Sequence, residues 1–131
     1  MASAIETAQA LHSAIELGRF GQELEDLFTE DVAFTEYPNR VKPSGGTQGL
    51  HDMLTSSRAG ARLLAQQRYD VHHATQHGST AIMRLTWTGT VGADVGPFMV
   101  GQQLTAHIAQ FITVRDGRIS AIASYDCYEP F

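Results

Sequence analysis

Residues 103 to 126 constrain the fold more than any other stretch, because they alternate with period two through two long segments joined by a single turn. Leu104, Ala106, Ile108, Gln110, Ile112 and Val114 share one face of the first segment. Arg115-Asp116-Gly117 supplies the turn chemistry of a tight hairpin. The returning segment carries Ile119, Ala121, Ala123 and Tyr125 opposite Ser120, Ile122, Ser124 and Asp126. Upstream, Tyr69, Val71 and His73 alternate, Gly78 turns the chain, and Ala81, Met83, Leu85 and Trp87 alternate again. The second half of the chain is therefore a long antiparallel meander.

The first half has the helical period. Ser3-Ala4-Ile5-Glu6 is a capping box, and Ile5, Ala8, Leu11, His12 and Ile15 form one stripe that ends near Gly18. A second short helix is predicted from Gly21 to Phe28, burying Leu24, Leu27 and Phe28, with a first strand beginning at Asp31. A loop rich in Pro and Gly follows from Pro38 to Gly46. Thr47 is the expected N-cap of a third helix holding Leu50, Met53 and Leu54, and Gly60 leaves its extension over 59–64 open. Helices first and a meander afterwards specify an α+β fold with helices packed on one sheet face. A curved sheet closed in this way leaves a cone open at one end, a natural small-molecule pocket.

Bulk properties narrow the function. The chain has 131 residues, the size of one domain, with 43% hydrophobic and 18% charged side chains. A formal charge of -5 argues against a nucleic-acid partner, since phosphate binding needs a basic face. No apolar run is long enough to span a bilayer and no signal-peptide pattern opens the chain, so no membrane partner is expected. One cysteine, Cys127, excludes an internal disulfide and fits a reducing, cytoplasmic setting. The expectation is one soluble domain over residues 1–131.

One carboxylate stands where an apolar side chain is expected. Val32, Phe34 and Glu36 share a strand face, so Glu36 should point to the same interior as Phe34. Burying it costs free energy unless it is paired or protonated, and a raised pKa suits a general acid or base. Against this, Glu36 ends its strand just before Tyr37-Pro38-Asn39 and has room to curl into solvent or meet an arginine. Gln110 is the sole polar residue on an otherwise apolar face.

The element order, with Leu24 to Glu36 (LEDLFTEDVAFTE), Ile82 to Thr90 (IMRLTWTGT) and Phe111 to Asp126 (FITVRDGRISAIASYD), resembles the nuclear transport factor 2-like superfamily, in particular its SnoaL-like polyketide cyclase and ketosteroid isomerase branches. The resemblance implies a cone-shaped curved antiparallel β-sheet closed by N-terminal helices, the cystatin-like arrangement. It also implies cofactor-independent isomerisation, cyclisation or dehydration of a hydrophobic carbonyl compound. A non-catalytic ligand-binding or dimerisation module on the same cone is the alternative, because the fold hosts many chemistries. Counted without a gap from Asp31, Glu36 falls on the position of the isomerases' Asp general base. Aligned on Gly117-Arg118-Ile119, Gln110 falls on their oxyanion donor. The helical Tyr of that family is missing, and His12 or Ala14 takes its place. The implied catalytic set is Glu36, Gln110 and His12, with no cofactor and no metal. The Asp-Arg-Asp set of limonene epoxide hydrolase-like members is not reproduced, since Arg84 has Ile82 and Thr86 as same-face neighbours.

Tyr37, Trp87, Phe98 and Tyr125 are candidate walls for a flat, ring-containing ligand, or plain core. Asp126 matches an Asp common near the end of the superfamily's last strand and either meets the cone mouth or faces water. His72 and His73 point to opposite faces and His77 sits in a turn, which opposes a shared metal. Cys127 lacks any nucleophile spacing. Ser44-Gly45-Gly46-Thr47-Gln48-Gly49 lacks the Lys and Ser/Thr of a P-loop. The opposite face of the long strand, Gln103, Thr105, His107, Ala109, Phe111 and Thr113, is mixed enough for a homodimer interface.

Overall fold

The computed structural model describes residues 2–131. Ser3 opens helix α1 (Ala4–Glu16), where its Oγ accepts from the Glu6 amide at 3.1 Å and its own amide donates to Glu6 Oε1 at 3.0 Å. The helix stops at Gly18, whose φ of +72° suits glycine, while the Arg19 amide reaches back to the Ala14 carbonyl at 2.8 Å. Helix α2 is only Gln22–Glu25, shorter than its pattern predicts, and strand β1 (Phe28–Glu36) starts three residues before Asp31. The reason is tertiary: Phe28 and Leu27 are drawn into the sheet beside Ile119, whose amide donates to the Leu27 carbonyl at 2.7 Å.

Thr47 does not cap a helix. It lies in strand β2 (Gly46–Gln48), which the sequence pattern misses, and Gly49 precedes helix α3 (Leu50–Leu63) without a side-chain cap. Helix α3 runs straight through Gly60. Strands β3 (Leu64–His77), β4 (Thr80–Val91), β5 (Gln103–Arg115) and β6 (Arg118–Tyr128) complete the chain.

The strands form one curved, unclosed sheet in the order β2-β1-β6-β5-β4-β3. Every pairing is antiparallel except β1 with β6, which is parallel and joins the first strand to the last. Helix α1 packs on β3, β4 and β5, and α3 packs on β1 and β3. Between sheet and helices lies the core, where Leu24, Met83, Leu85, Ile112, Ile119 and Val91 are fully buried. Strict alternation fails once in the final strand. Ile119 is buried, yet from Ile122 onward the inward set is Ile122, Ser124 and Asp126. A register irregularity at Thr113/Val114, opposite this point, exchanges the faces. Among the described residues no helix is long and apolar enough to cross a membrane.

Candidate functional site

The sheet and helices line a half-open cavity of about 570 Å³, within the range of small-molecule sites. Its apolar wall includes Leu11, Phe20, Phe34, Met53 and Ile108. Its polar groups are arranged by sheet register. Gly46 pairs with Glu36, Glu36 with Ser124, Ser124 with Gln110, and Gln110 with Met83, so these residues form one row across four adjacent pairings. His12 reaches the row from α1, Asp126 stands two residues along β6 from Ser124, and Tyr128 two further on.

A chain of hydrogen bonds runs through this row. His12 Nε2 lies 2.9 Å from Gln110 Oε1, the Gln110 amide donates to Ser124 Oγ at 3.4 Å, and the Ser124 hydroxyl donates to Asp126 Oδ1 at 2.6 Å. Each polar atom fits one direction of donation when His12 is neutral with its proton on Nε2. Burial holds the His12 pKa below the ordinary value, against smaller opposing effects of the Gln110 bond and the Glu16 charge. The ring also stacks on Tyr69, with centroids 4.3 Å apart and planes 8° from parallel. Its Nδ1 is buried with no partner among the described residues, which is consistent with an uncharged imidazole.

Burial likewise raises the Asp126 pKa; the Ser124 hydrogen bond opposes this and the negative charge of Glu36 adds to it. The Tyr69 and Tyr128 hydroxyls are pushed up chiefly by burial and then by Asp126, so both stay protonated. Glu36 is half-buried and lines the cavity, as the alternation of β1 predicts. Its Oε2 accepts from Asn39 Nδ2 at 2.7 Å. Asn39 also donates to the Tyr37 carbonyl at 2.9 Å and accepts from the Val41 and Lys42 amides, each at 3.0 Å. One side chain thus orients the carboxylate and folds the loop beside it.

Glu36, Gln110 and His12 are brought together, and His12, not Ala14, faces the cavity. Trp87 and Asp126 also line it. The Trp87 ring fits because Gly89 has no side chain: a Cβ there would meet the ring at 2.6 Å. Trp87 Nε1 donates to Gln67 Oε1 at 3.1 Å.

Three expected wall residues lie elsewhere. Tyr37 and Tyr125 stack on each other on the outer sheet face, centroids 4.3 Å apart, because each follows an inward residue by one position. Phe98 packs against Phe131 at 5.8 Å, in the connection from β4 to β5. Tyr69, Tyr128 and Lys42 line the cavity without having been singled out in the sequence. Tyr128 was readable by parity from Asp126, and Tyr69 as the cross-strand partner of Trp87. No periodicity marks Lys42, which sits in an irregular loop. Among the described residues no cluster of His, Cys, Asp and Glu has the geometry to hold a metal ion.

The model of the SnoaL-like domain family matches residues 8–122. No curated protein matches the sequence. Similar solved structures include IdmH from Streptomyces antibioticus, a candidate polyketide cyclase, with 18% identity, 95% of this chain and 92% of that one covered, and a TM-score of 0.79. An LEH-like epoxide hydrolase from M. tuberculosis is 20% identical, with 94% and 81% covered and a TM-score of 0.71. A protein of ketosteroid isomerase-like fold from Catenulispora acidiphila, in complex with trimethylamine, is 16% identical, with 92% and 84% covered and a TM-score of 0.71. At these identities the likeness establishes a common fold, and the reactions of those proteins remain their own.

Proposed function

The chain belongs to the SnoaL-like domain family, and on that premise we propose that it catalyses acid-base proton transfer on a hydrophobic carbonyl compound held in the cavity. The observation that carries this reading is the pairing of two carboxyl groups, Glu36 and Asp126, within one largely apolar hollow. Glu36 is the general base. Its carboxylate takes a proton from the carbon next to the carbonyl, the C–H electron pair becomes the enolate double bond, and the carbonyl π pair moves onto oxygen. The proton then returns from the Glu36 carboxyl to a different carbon, which completes an isomerisation. In a cyclisation the enolate carbon instead bonds to a second carbonyl carbon, whose π pair moves onto its oxygen and takes the proton back from the Glu36 carboxyl, restoring the first carbonyl.

Asp126, whose proton affinity is raised by burial, is the second acid-base group, joined through Ser124 and Gln110 to His12. Gln110 has one amide N–H left for a ligand. His12 holds the Gln110 amide in place through its Nε2. Isomerisation, cyclisation and dehydration of this kind run on such groups without a cofactor.

Exchange of the α-hydrogens of α-tetralone in heavy water, followed by proton NMR, tests the reading. The wild-type protein is expected to accelerate exchange, and Glu36→Gln to lower that rate by at least about a hundredfold while binding tetralone within a few-fold of wild type. Undiminished exchange by Glu36→Gln removes Glu36 from the mechanism. The mutual engagement of His12 and Gln110 favours a second reading, ligand binding without turnover. Tetralone binding with no exchange in the wild-type protein would select it.

A further inference from the structure

We propose that Lys42 forms an anion-binding subsite beside Glu36, receiving a negatively charged oxygen of the ligand. The inference rests on the proton-transfer reading above and assigns the oxygen's partner. Three observations support it. Among the described residues Lys42 is the sole cation on the cavity wall: its other titratable side chains are Glu36, Asp126, Tyr69, Tyr128 and His12, and burial keeps the histidine neutral and the tyrosines protonated. Among the described residues its ammonium has no ion pair and no hydrogen-bond partner, although the residue is half-buried. Finally, its Cε and Nζ lie 3.7 Å from the position a Cβ would occupy at Gly46, the cross-strand partner of Glu36.

The loop is built to hold that position. The Lys42 carbonyl accepts from the Asn39 amide at 3.1 Å and the Gly45 amide at 2.9 Å, and the Lys42 amide donates to Asn39 Oδ1. Gly45 has a φ of +59°, and a Cβ there would lie 2.6 Å from the Glu36 carbonyl oxygen, so only glycine lets the loop close this tightly on β1. The Lys42 ammonium lies by Gly46, which is one strand spacing from Glu36 along the polar row, whereas Gln110 is two spacings away on the other side, roughly 10 Å between backbones. A carbonyl whose neighbouring C–H meets Glu36 therefore has the ammonium nearer than the amide. A cation stabilises an enolate oxygen more strongly than a neutral donor does. The ligand class that fits is an apolar ring compound with an oxygen that is ionised, as in a phenolate, or becomes so, as in the enolate of a β-dicarbonyl.

para-Nitrophenol is a suitable probe, because its phenolate absorbs visible light and its ionisation when bound is read directly. Spectrophotometric pH titration of the bound probe should show a Lys42-dependent downward shift of its ionisation, opposing the upward effect of burial, since a neighbouring cation favours the anion. Lys42→Met should weaken phenolate binding roughly tenfold, leave the neutral phenol within twofold, and abolish the shift. Lys42→Arg should keep most of it, which shows that charge matters and that the loop tolerates substitution. Glu36→Gln should favour the phenolate further by removing a neighbouring negative charge. An unchanged shift and affinity in Lys42→Met would overturn the subsite and leave the exchange activity assigned to Glu36 standing. Failure of wild-type protein to bind the probe in either form would overturn the subsite and the cavity's role together.

Discussion

The inner and outer faces of β5 and β6 place similar side chains in opposite circumstances. Inside, Ile108, Ile112 and Ile122 are buried around Gln110 and Ser124, and the side-chain hydrogen bonds of that polar pair among the described residues are all made to cavity residues. Outside, Phe111 and Tyr125 are 38% and 44% exposed, and Tyr125 stacks on Tyr37. Tyrosines occur on both faces and are raised in pKa on both, but the first cause inside is burial, for Tyr69 and Tyr128, and outside it is the neighbouring Tyr37, for Tyr125. Carboxylates divide the same way. Exposed Asp31 accepts from Arg115 Nη2 at 2.5 Å, and this hydrogen bond holds its pKa below the ordinary value, whereas burial raises that of Asp126. Residue type therefore says little about role here; the side of the sheet and the loss of water decide it.

The comparison breaks most readily through neighbouring positions of one strand. Ile112→Ala should cost about 3 kcal/mol by leaving a cavity in the core, while Phe111→Ala should cost no more than about 1 kcal/mol. Urea unfolding measures both, and equal losses would mean that the outer face is as tightly packed as the inner. A smaller effect, roughly 1–3 kcal/mol, is expected for Gly89→Ala, which forces the Trp87 ring out of place. Tryptophan fluorescence should shift with it; an unmoved spectrum at wild-type stability would contradict the close approach.

The subtlest test sets the two carboxylates against each other. Asp126 binds its proton more tightly folded than unfolded, so its contribution to stability falls as pH rises from the ordinary value of 3.8 through the raised folded value. Asp126→Asn should therefore gain stability over wild type at neutral pH, and the gain should vanish well below 3.8. Asp31 has the opposite sign: its contribution is present above 3.8 and is lost as pH falls through the lowered folded value. Asp31→Asn should lose a little stability at neutral pH and none in acid. Unfolding midpoints across pH read both, and parallel profiles would erase the distinction.

Much of the site was legible in advance. The parity of β1 sends Glu36 inward, the parity of β5 does the same for Gln110, and the stripe of α1 turns His12 towards the sheet. Parity also argued against Tyr125 as a wall residue once Asp126 was inward, although only the irregularity at Thr113/Val114 settles which of the two points in. Asp126 as the carboxyl shifted by burial was beyond pattern reading, because its environment is the cavity interior, with Ser124 on its own strand and the charge of Glu36 from β1. Lys42 was equally hidden, since a loop has no period to betray where its side chains point.

The amino-acid order alone determined the kinds of element and the α+β class, because hydrophobic period and capping chemistry act over a few residues and need no distant partner. It also determined which side chains of each regular strand travel together. Tertiary structure decided the rest: the parallel pairing of β1 with β6, the short β2, the row from Gly46 to Met83, and the contact of His12 with Gln110 across 98 positions of chain. Those features depend on how separate elements align in space, where packing and the exclusion of water act on residues that local sequence cannot relate.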